Sequence, residues 1–166
     1  MSLSLSIDEL LGYSDEERGK WEQWFAGQPP AALHAGVQRG ARFTTVWSLI
    51  DHIFLVEKRH TQRLKREPNV DTETGVADPD IKALFAYARG ARSELAQFIH
   101  TTPDSELARP RDFQFASASL TVSPRKLVFH IFFHEIRHWA QIATAVRNGG
   151  FSPPGNHDPL FSSAFE

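Results

Sequence analysis

The feature that most constrains the fold is a long apolar stretch near the end of the chain, with three histidines at four-residue steps. A Ser-Pro pair before it and a Gly-Gly pair after it predict a helix over 124–148, because serine caps helix starts, proline fits the first turn and glycine ends helices. His130, His134 and His138 lie within it. Each step of four residues turns only about 40° around an α-helix, so all three imidazoles share one face.

The residues around these histidines predict a buried helix. Positions 127–133 are apolar except for His130, and a helix that is apolar on every side lies in a core, so the histidines should point inward. Two histidines four residues apart can reach one metal ion, but three span roughly 12 Å, which is too far. A third ligand must therefore come from another helix. The best candidate is His52, in the middle of a second predicted helix.

The rest of the chain predicts a helical bundle. A Ser14–Glu17 capping box and the Asp78-Pro79 pair mark two further helix starts. Alternating polar and apolar residues in 103–122 predict a connector with a short hairpin. The length of 166 residues suits one domain. We therefore expect a single all-α domain over 1–166, a four-helix bundle with helices at about 15–26, 42–66, 79–100 and 124–148.

Composition excludes several classes of function. The chain has no cysteine, which excludes disulfides, a thiolate nucleophile and cysteine-ligated zinc or iron–sulfur sites. The net charge is −2 and no basic block occurs, so we expect no nucleic-acid partner. No apolar run approaches the roughly 18 residues of a membrane span, and the first residues lack the basic start of a signal peptide. The expected location is cytoplasmic, with no membrane partner.

Three imidazoles with open positions are typical of a catalytic metal, because structural zinc is usually closed by four protein ligands. Imidazole suits zinc, nickel, copper or iron. We expect one divalent ion, zinc or nickel first, with iron or manganese as alternatives. A bundle whose histidines hydrogen-bond to one another, without metal, stays open as an alternative. The remaining histidines, which lie in polar or loop contexts, are expected in solvent: His34, His60, His100 and His157.

The pentapeptide HEIRH at 134–138 matches the zincin metalloprotease signature, in which the glutamate is the general base. The extended signature needs glycine and histidine further on, where this chain has Gln141 and Thr144, and the only later glutamate is Glu166. A protease is therefore not expected. Glu135 should lie off the histidine face and pair elsewhere.

Two segments resemble the DinB/YfiT-like family. One is Asp51-His52-Ile53 with Glu57 five residues after the histidine, and the other is the pattern of histidines and Gln141 in 127–141. The likeness runs from the first helix to Gly149 and into the tail. It implies a four-helix bundle with up-down-down-up topology, often a homodimer. The chain departs from the family at Trp139-Ala140, where many members have Arg-Gly.

The resemblance also implies roles for individual residues. In the family, one histidine of the second helix and the two later histidines of the last helix hold the metal, which carries over to His52, His134 and His138. His130 falls just outside as a candidate catalytic base or orienting group. Gln141 and Glu57 match positions beside the ligands or the substrate.

The family's functions are diverse. Members include damage- or stress-induced proteins and thiol-dependent transferases or isomerases that use a low-molecular-weight bacterial thiol, some acting on maleylpyruvate. The resemblance implies a divalent-metal-dependent enzyme, an S-transferase, isomerase or hydrolase, acting on a small-molecule substrate. With no cysteine in the chain, the reacting sulfur would come from the thiol cofactor. The alternative is a non-enzymatic metal-binding stress protein.

Overall fold

In the computed structural model, the described residues are 4–37, 42–69, 73–115 and 118–165. Glu166, the later glutamate considered above as a zinc ligand, lies outside them. The main elements of the described residues, in chain order, are α1 (Ile7–Ala26), α2 (Val46–Lys65), α3 (Ile81–Thr101), α4 (Asp104–Ala108), β1 (Arg111–Gln114), β2 (Ser119–Val122) and α5 (Pro124–Asn148).

Four of these helices, α1, α2, α3 and α5, form the predicted four-helix bundle. Contacts between α2 and α3 advance in the same direction along both helices, from the Phe54–Phe85 ring pair to the Lys58–Glu94 ion pair, so these two helices are parallel. Side chains of α2 and α5 meet in the reverse order. His60 lies beside His130. His52, which comes earlier in α2, lies beside a later residue of α5, His138, so α2 and α5 are antiparallel.

Helix α1 runs parallel to α5, because Ser14 contacts Glu135 and, two turns later, Trp21 stacks on Trp139. It is antiparallel to α3. The directions of the four helices therefore give the up-down-down-up topology that the family resemblance implied. This arrangement places α2 and α5 side by side, which is what the histidine site requires.

The first helix begins earlier than predicted. Ser6 and Glu9 form its capping box, each side chain bonding to the other's backbone amide, and α1 starts at Ile7. The predicted Ser14–Glu17 box is wrong: Ser14 is buried inside the helix. Both serine–glutamate pairs fit the same local pattern, and the extra turns are held by packing against the rest of the bundle.

Two other helices begin later in the chain than predicted. Helix α2 begins at Val46 instead of 42, after a Thr45–Ser48 capping box. Helix α3 begins at Ile81, because the side chain of Asp80, and not that of Asp78, accepts the capping hydrogen bond. The last helix has its predicted bounds, 124–148. The connector contains the predicted hairpin, β1 paired antiparallel with β2, and an additional short helix, α4.

The core is divided into two apolar clusters by a layer of buried charge. We call this the charged layer and define it as Arg18, Glu57, Arg92 and Glu135, one residue from each long helix. Each side chain is at most 8% exposed. The two positive and two negative charges cancel, so the layer buries no net charge.

Hydrogen bonds connect the charged layer across the bundle. The Glu135 carboxylate accepts from Arg18 Nε at 2.6 Å and from Arg92 Nη2 at 2.8 Å. The Glu57 carboxylate accepts from Arg92 Nε at 3.0 Å and also from Arg18. Each arginine therefore bridges the same two carboxylates, one on α2 and one on α5. This fixes how far α2 and α5 are displaced along each other, since a slip of one turn would put each charge against hydrocarbon.

The tail after α5 lies across α1. The Cα of Gly12 faces Ala164 so closely that a Cβ on Gly12 would come within 3.0 Å of the alanine methyl group. The ring of Phe165 packs on Tyr13 with centroids 5.6 Å apart. Within the described ranges, no helix combines the length and apolar character needed to cross a bilayer.

Candidate metal centre

The antiparallel contact of α2 and α5 brings three histidines together. His134 Nε2 lies 3.2 Å from His52 Nε2 and 3.0 Å from His138 Nε2. The ligating atoms of all three lie within 4.8 Å of one another. His134 and His138 are 9% and 8% exposed, and His52 is half-buried. The structure thus places one imidazole of α2 against two of α5, at the positions that spacing and resemblance indicated.

Hydrogen bonding alone does not explain both short contacts of His134 Nε2. A ring nitrogen has one in-plane direction, which holds either a proton or a lone pair. His134 Nε2 can therefore make one hydrogen bond, to His52 or to His138, and the other contact would be left without a proton. A cation between the rings removes this conflict, because all three nitrogens can direct lone pairs at it.

Gln141 fixes the orientation of one imidazole. His138 Nδ1 donates to Gln141 Oε1 at 2.5 Å, one turn further along α5. The amide oxygen only accepts, so the proton is on Nδ1 and the lone pair of His138 is on Nε2, which faces the other two rings. An acceptor on the outer nitrogen is the usual partner of a metal-binding histidine.

A phenylalanine supports the imidazole of α2. The ring of Phe43, from the segment before α2, stacks on His52 with centroids 4.1 Å apart and planes inclined at 29°. This contact covers one face of the imidazole and limits its rotation. The position of His52 is therefore set by its helix and by an aromatic neighbour.

The three imidazoles are neutral at physiological pH. Burial, followed by the charge of neighbouring histidines, lowers the pKa of His52 to about 4 and that of His134 to about 3. Burial also lowers the pKa of His138. Neutral imidazole is the form that binds metal, so these side chains can bind an ion without first losing a proton.

A cleft opens beside His52, between α2 and the hairpin. Its volume is about 280 Å³. Apolar walls come from Phe43, Leu55, Val56 and Phe115, and polar groups come from Arg42, Asp51, His52, Arg59, His60 and Arg63. The histidine cluster is thus next to a space that a small molecule can enter.

Comparison with known proteins agrees with this architecture. A family model described as the DinB family matches residues 1–164. The chain belongs to the DinB family. Among solved structures, a DinB-like protein (YjoA) from Bacillus subtilis is similar, with a TM-score of 0.60 and 14% identity over 90% of this chain and 98% of that one. At this identity the similarity shows a shared fold. No curated protein matches the chain.

Two further histidines of this DinB-family chain flank the cluster. His130 is exposed, which corrects the expectation that all three histidines of α5 point inward, and its ring centroid lies 5.6 Å from that of His134. His60, expected in solvent, is buried at 8% exposure and lies 5.4 Å from His130, centroid to centroid. Arg63 Nη1 donates to His60 Nδ1 at 3.0 Å, so the proton of this ring is on Nε2.

The two glutamates near the DinB motifs both belong to the charged layer. Glu57 is not beside the histidines as the resemblance suggested, because five residues after His52 corresponds to about 140° around the helix. It faces the bundle interior and bonds to Arg18 and Arg92. Glu135 also pairs there, as expected, so it is not positioned as the base of a zincin site.

The departure from the DinB pattern at Trp139 faces away from the histidines. Trp139 is buried, its indole Nε1 donates to Glu135 Oε1 at 3.0 Å, and its ring stacks on Trp21 with centroids 5.4 Å apart. The residue thus supports the charged layer and one apolar cluster.

Proposed function

We propose that this DinB-family protein binds one divalent metal ion through His52, His134 and His138 and uses it in a reaction on a small molecule. The observation that carries the proposal is the pair of short contacts that share His134 Nε2, at 3.2 and 3.0 Å. Two nitrogens bound tetrahedrally to one zinc ion at its usual bond length lie roughly 3.4 Å apart. The two spacings that involve His134 Nε2 are therefore close to those of a metal site, and the third lies within 4.8 Å.

The ligand set favours certain ions. It consists of imidazoles only, which suit zinc and nickel, with iron or manganese as weaker alternatives. Three protein ligands leave coordination positions open, as in catalytic sites. The cleft lined by His52 provides a space for a small molecule beside one of the three ligands.

The proposed reaction class is thiol-dependent transfer or isomerisation. A divalent ion in this site would supply Lewis-acid activation of a thiol or of water. The chain has no cysteine, so the reacting sulfur would belong to a separate low-molecular-weight thiol. Partial desolvation lowers the pKa of His130 from its usual 6.5, so the ring is neutral at pH 7 and can accept a proton at the edge of the site.

The second candidate is a metal-binding protein without catalysis, such as a stress protein. It needs the same three histidines but no organised substrate space. The cleft beside His52, with its several arginines, supports the enzyme over this alternative.

Metal analysis tests the binding step. Protein purified without a metal-affinity tag and stripped of metal should take up one zinc or nickel ion per chain by elemental analysis. His134→Ala should abolish this uptake, because His134 contacts both other ligands. His100→Ala is the matched control, since His100 is exposed and its ring bonds to Asp8 on the surface. Equal uptake by wild type and the His134 variant would disprove the proposal.

Activity assays test the chemical step. Metal-loaded protein should accelerate transfer of low-molecular-weight thiols to electrophiles, and His134→Ala should lose that acceleration while His100→Ala keeps it. Isomerisation and hydrolysis are assayed in parallel. Stoichiometric metal without acceleration of any of the three reactions would favour the binding-only alternative.

A further inference from the structure

The cleft beside His52 carries positive charge that the protein does not neutralise. Arg42, Arg59 and Arg63 line it, and Asp51 is the single acidic residue among the described residues of its lining. The Asp51 carboxylate accepts a hydrogen bond from Thr74. Across the described ranges, none of these three arginines forms an ion pair with a carboxylate, whereas both arginines of the charged layer pair with glutamates.

Among the three arginines of the cleft, Arg59 most clearly lacks a partner for its guanidinium group within the described residues. It lies seven residues after His52, which places both side chains on one face of α2. Its Nε is buried and has no hydrogen-bond partner in the described part of the chain. Buried donors are nearly always satisfied in folded proteins. Among the described residues, Arg18 and Arg92 also have an unpaired buried nitrogen, but both pair with Glu57. Arg59 has no carboxylate partner within the described ranges, so an acceptor from outside the protein would complete its bonding.

Arg63 is held in place one turn further along α2. Its Nε donates to the Gln114 carbonyl at 2.9 Å, its Nη1 donates to His60, and its guanidinium lies 5.0 Å from the ring centroid of Phe115. Arg59 and Arg63 are four residues apart on α2, so the two like charges are near each other, and the pKa of Arg63 is lowered by burial and then by the charge of Arg59. An anion between them would relieve that repulsion.

The chemistry of the lining indicates what the ligand is. Guanidinium groups match carboxylate and phosphate oxygens, to which they donate paired hydrogen bonds. Leu55, Val56 and Phe115 provide apolar walls for the carbon part of a ligand.

We propose that Arg59 and Arg63 bind the carboxylate or phosphate group of a small organic anion, which is the substrate class of this site. The inference deepens the proposed function, because the bound anion would lie beside His52 and the open positions of the metal. The groups that bind the anion are the two arginines and not the metal, so the anion should also bind to metal-free protein.

Binding of simple anions provides the test. Isothermal titration calorimetry with succinate and, separately, with inorganic phosphate is run on metal-free and zinc-loaded protein. Arg59→Gln should weaken binding of the preferred anion at least about tenfold, because it removes a charge-assisted hydrogen bond. Arg125→Gln is the matched control: it removes the same charge from an exposed residue of α5 and should leave the affinity within about twofold. Comparison of the two anions decides between carboxylate and phosphate.

Several outcomes would overturn the inference: no binding of either anion to wild type, equal weakening by Arg59→Gln and Arg125→Gln, or binding to zinc-loaded protein only. Arg59→Lys, which keeps the charge but loses the paired donors, should give an intermediate affinity and guards against misfolding of the glutamine variant. Zinc content is measured in every sample. Arg59-dependent anion binding without zinc uptake would refute the proposed function alone, and zinc uptake without anion binding would refute this inference alone.

Discussion

Replacing Gln141 by leucine tests whether the structure orients His138 for metal. Leucine has a similar size but no acceptor, so His138 Nδ1 loses its partner at 2.5 Å. The ring can then move its proton to Nε2, the nitrogen that faces His134, where it would occupy the lone pair that a metal needs.

The exposure of Gln141 sets a limit on the loss of metal affinity expected for Gln141→Leu. Removing the partner of a ligating histidine costs 10- to 100-fold in metal affinity, as an order of magnitude. Gln141 is exposed, so water can partly replace its amide oxygen. We therefore expect the lower limit, about tenfold, which reduces the stabilisation by bound metal by about 1.4 kcal/mol. The free energy of unfolding of metal-free protein should change by less than about 0.5 kcal/mol.

Competition with a chelator of known affinity measures the zinc dissociation constant of each variant. Thr144→Val is the matched control, because Thr144 is also exposed, lies one turn further along α5 and donates its hydroxyl proton to the Ala140 carbonyl of its own helix. Gln141→Glu, which keeps an acceptor, should bind zinc at least as tightly as wild type. An affinity of Gln141→Leu within twofold of the control would refute the argument that this contact sets the tautomer.

Three further predictions concern stability. Glu135→Gln leaves two buried arginines with one buried carboxylate, Glu57, and should lower the free energy of unfolding by about 3–5 kcal/mol in urea titrations. A loss below about 1 kcal/mol would contradict the account of the charged layer. Burial acts to raise the pKa of Glu135, but the charges of Arg18 and Arg92 outweigh it and hold this pKa below its usual 4.5. The stability that Glu135 contributes is therefore complete above pH 4.5 and lost as pH falls below it, and Glu135→Gln should show a smaller loss between pH 5 and pH 3 in urea midpoints. Gly12→Val should push the tail off α1, because a Cβ already meets the Ala164 methyl group at 3.0 Å, and limited proteolysis should cut the tail faster than in wild type while the bundle stays folded.

The sequence predicts the bounds of a helix correctly where the signals at both of its ends agree with the spacing of its apolar residues. Helix α5 has a cap, a proline, a continuous apolar period and terminal glycines, and its predicted bounds match the structure. The first helix was misplaced because Ser6–Glu9 and Ser14–Glu17 fit the same capping pattern. Only packing of the additional turns distinguishes them, and packing partners are not visible in a single sequence.

Long-range contacts account for the features that were missed. The four charges of the charged layer fall on core-facing positions of amphipathic helices, in balanced sign, and that pattern is a signal that the sequence does contain. Their pairing could not be derived before the helix neighbours were known. His60 looked solvated because its sequence neighbours are polar, and its burial depends on Phe115 of the distant hairpin and on the conformation of Arg63.

The charged layer has a consequence for the order of events during biosynthesis. Its two arginines tie α2 to α5 with groups that belong to the chain, so the helices reach their final alignment without help from an ion. We expect the newly made protein to fold first and to bind metal afterwards, at a site whose geometry is already fixed. Cellular supply, more than the folding reaction, would then decide which ion occupies it.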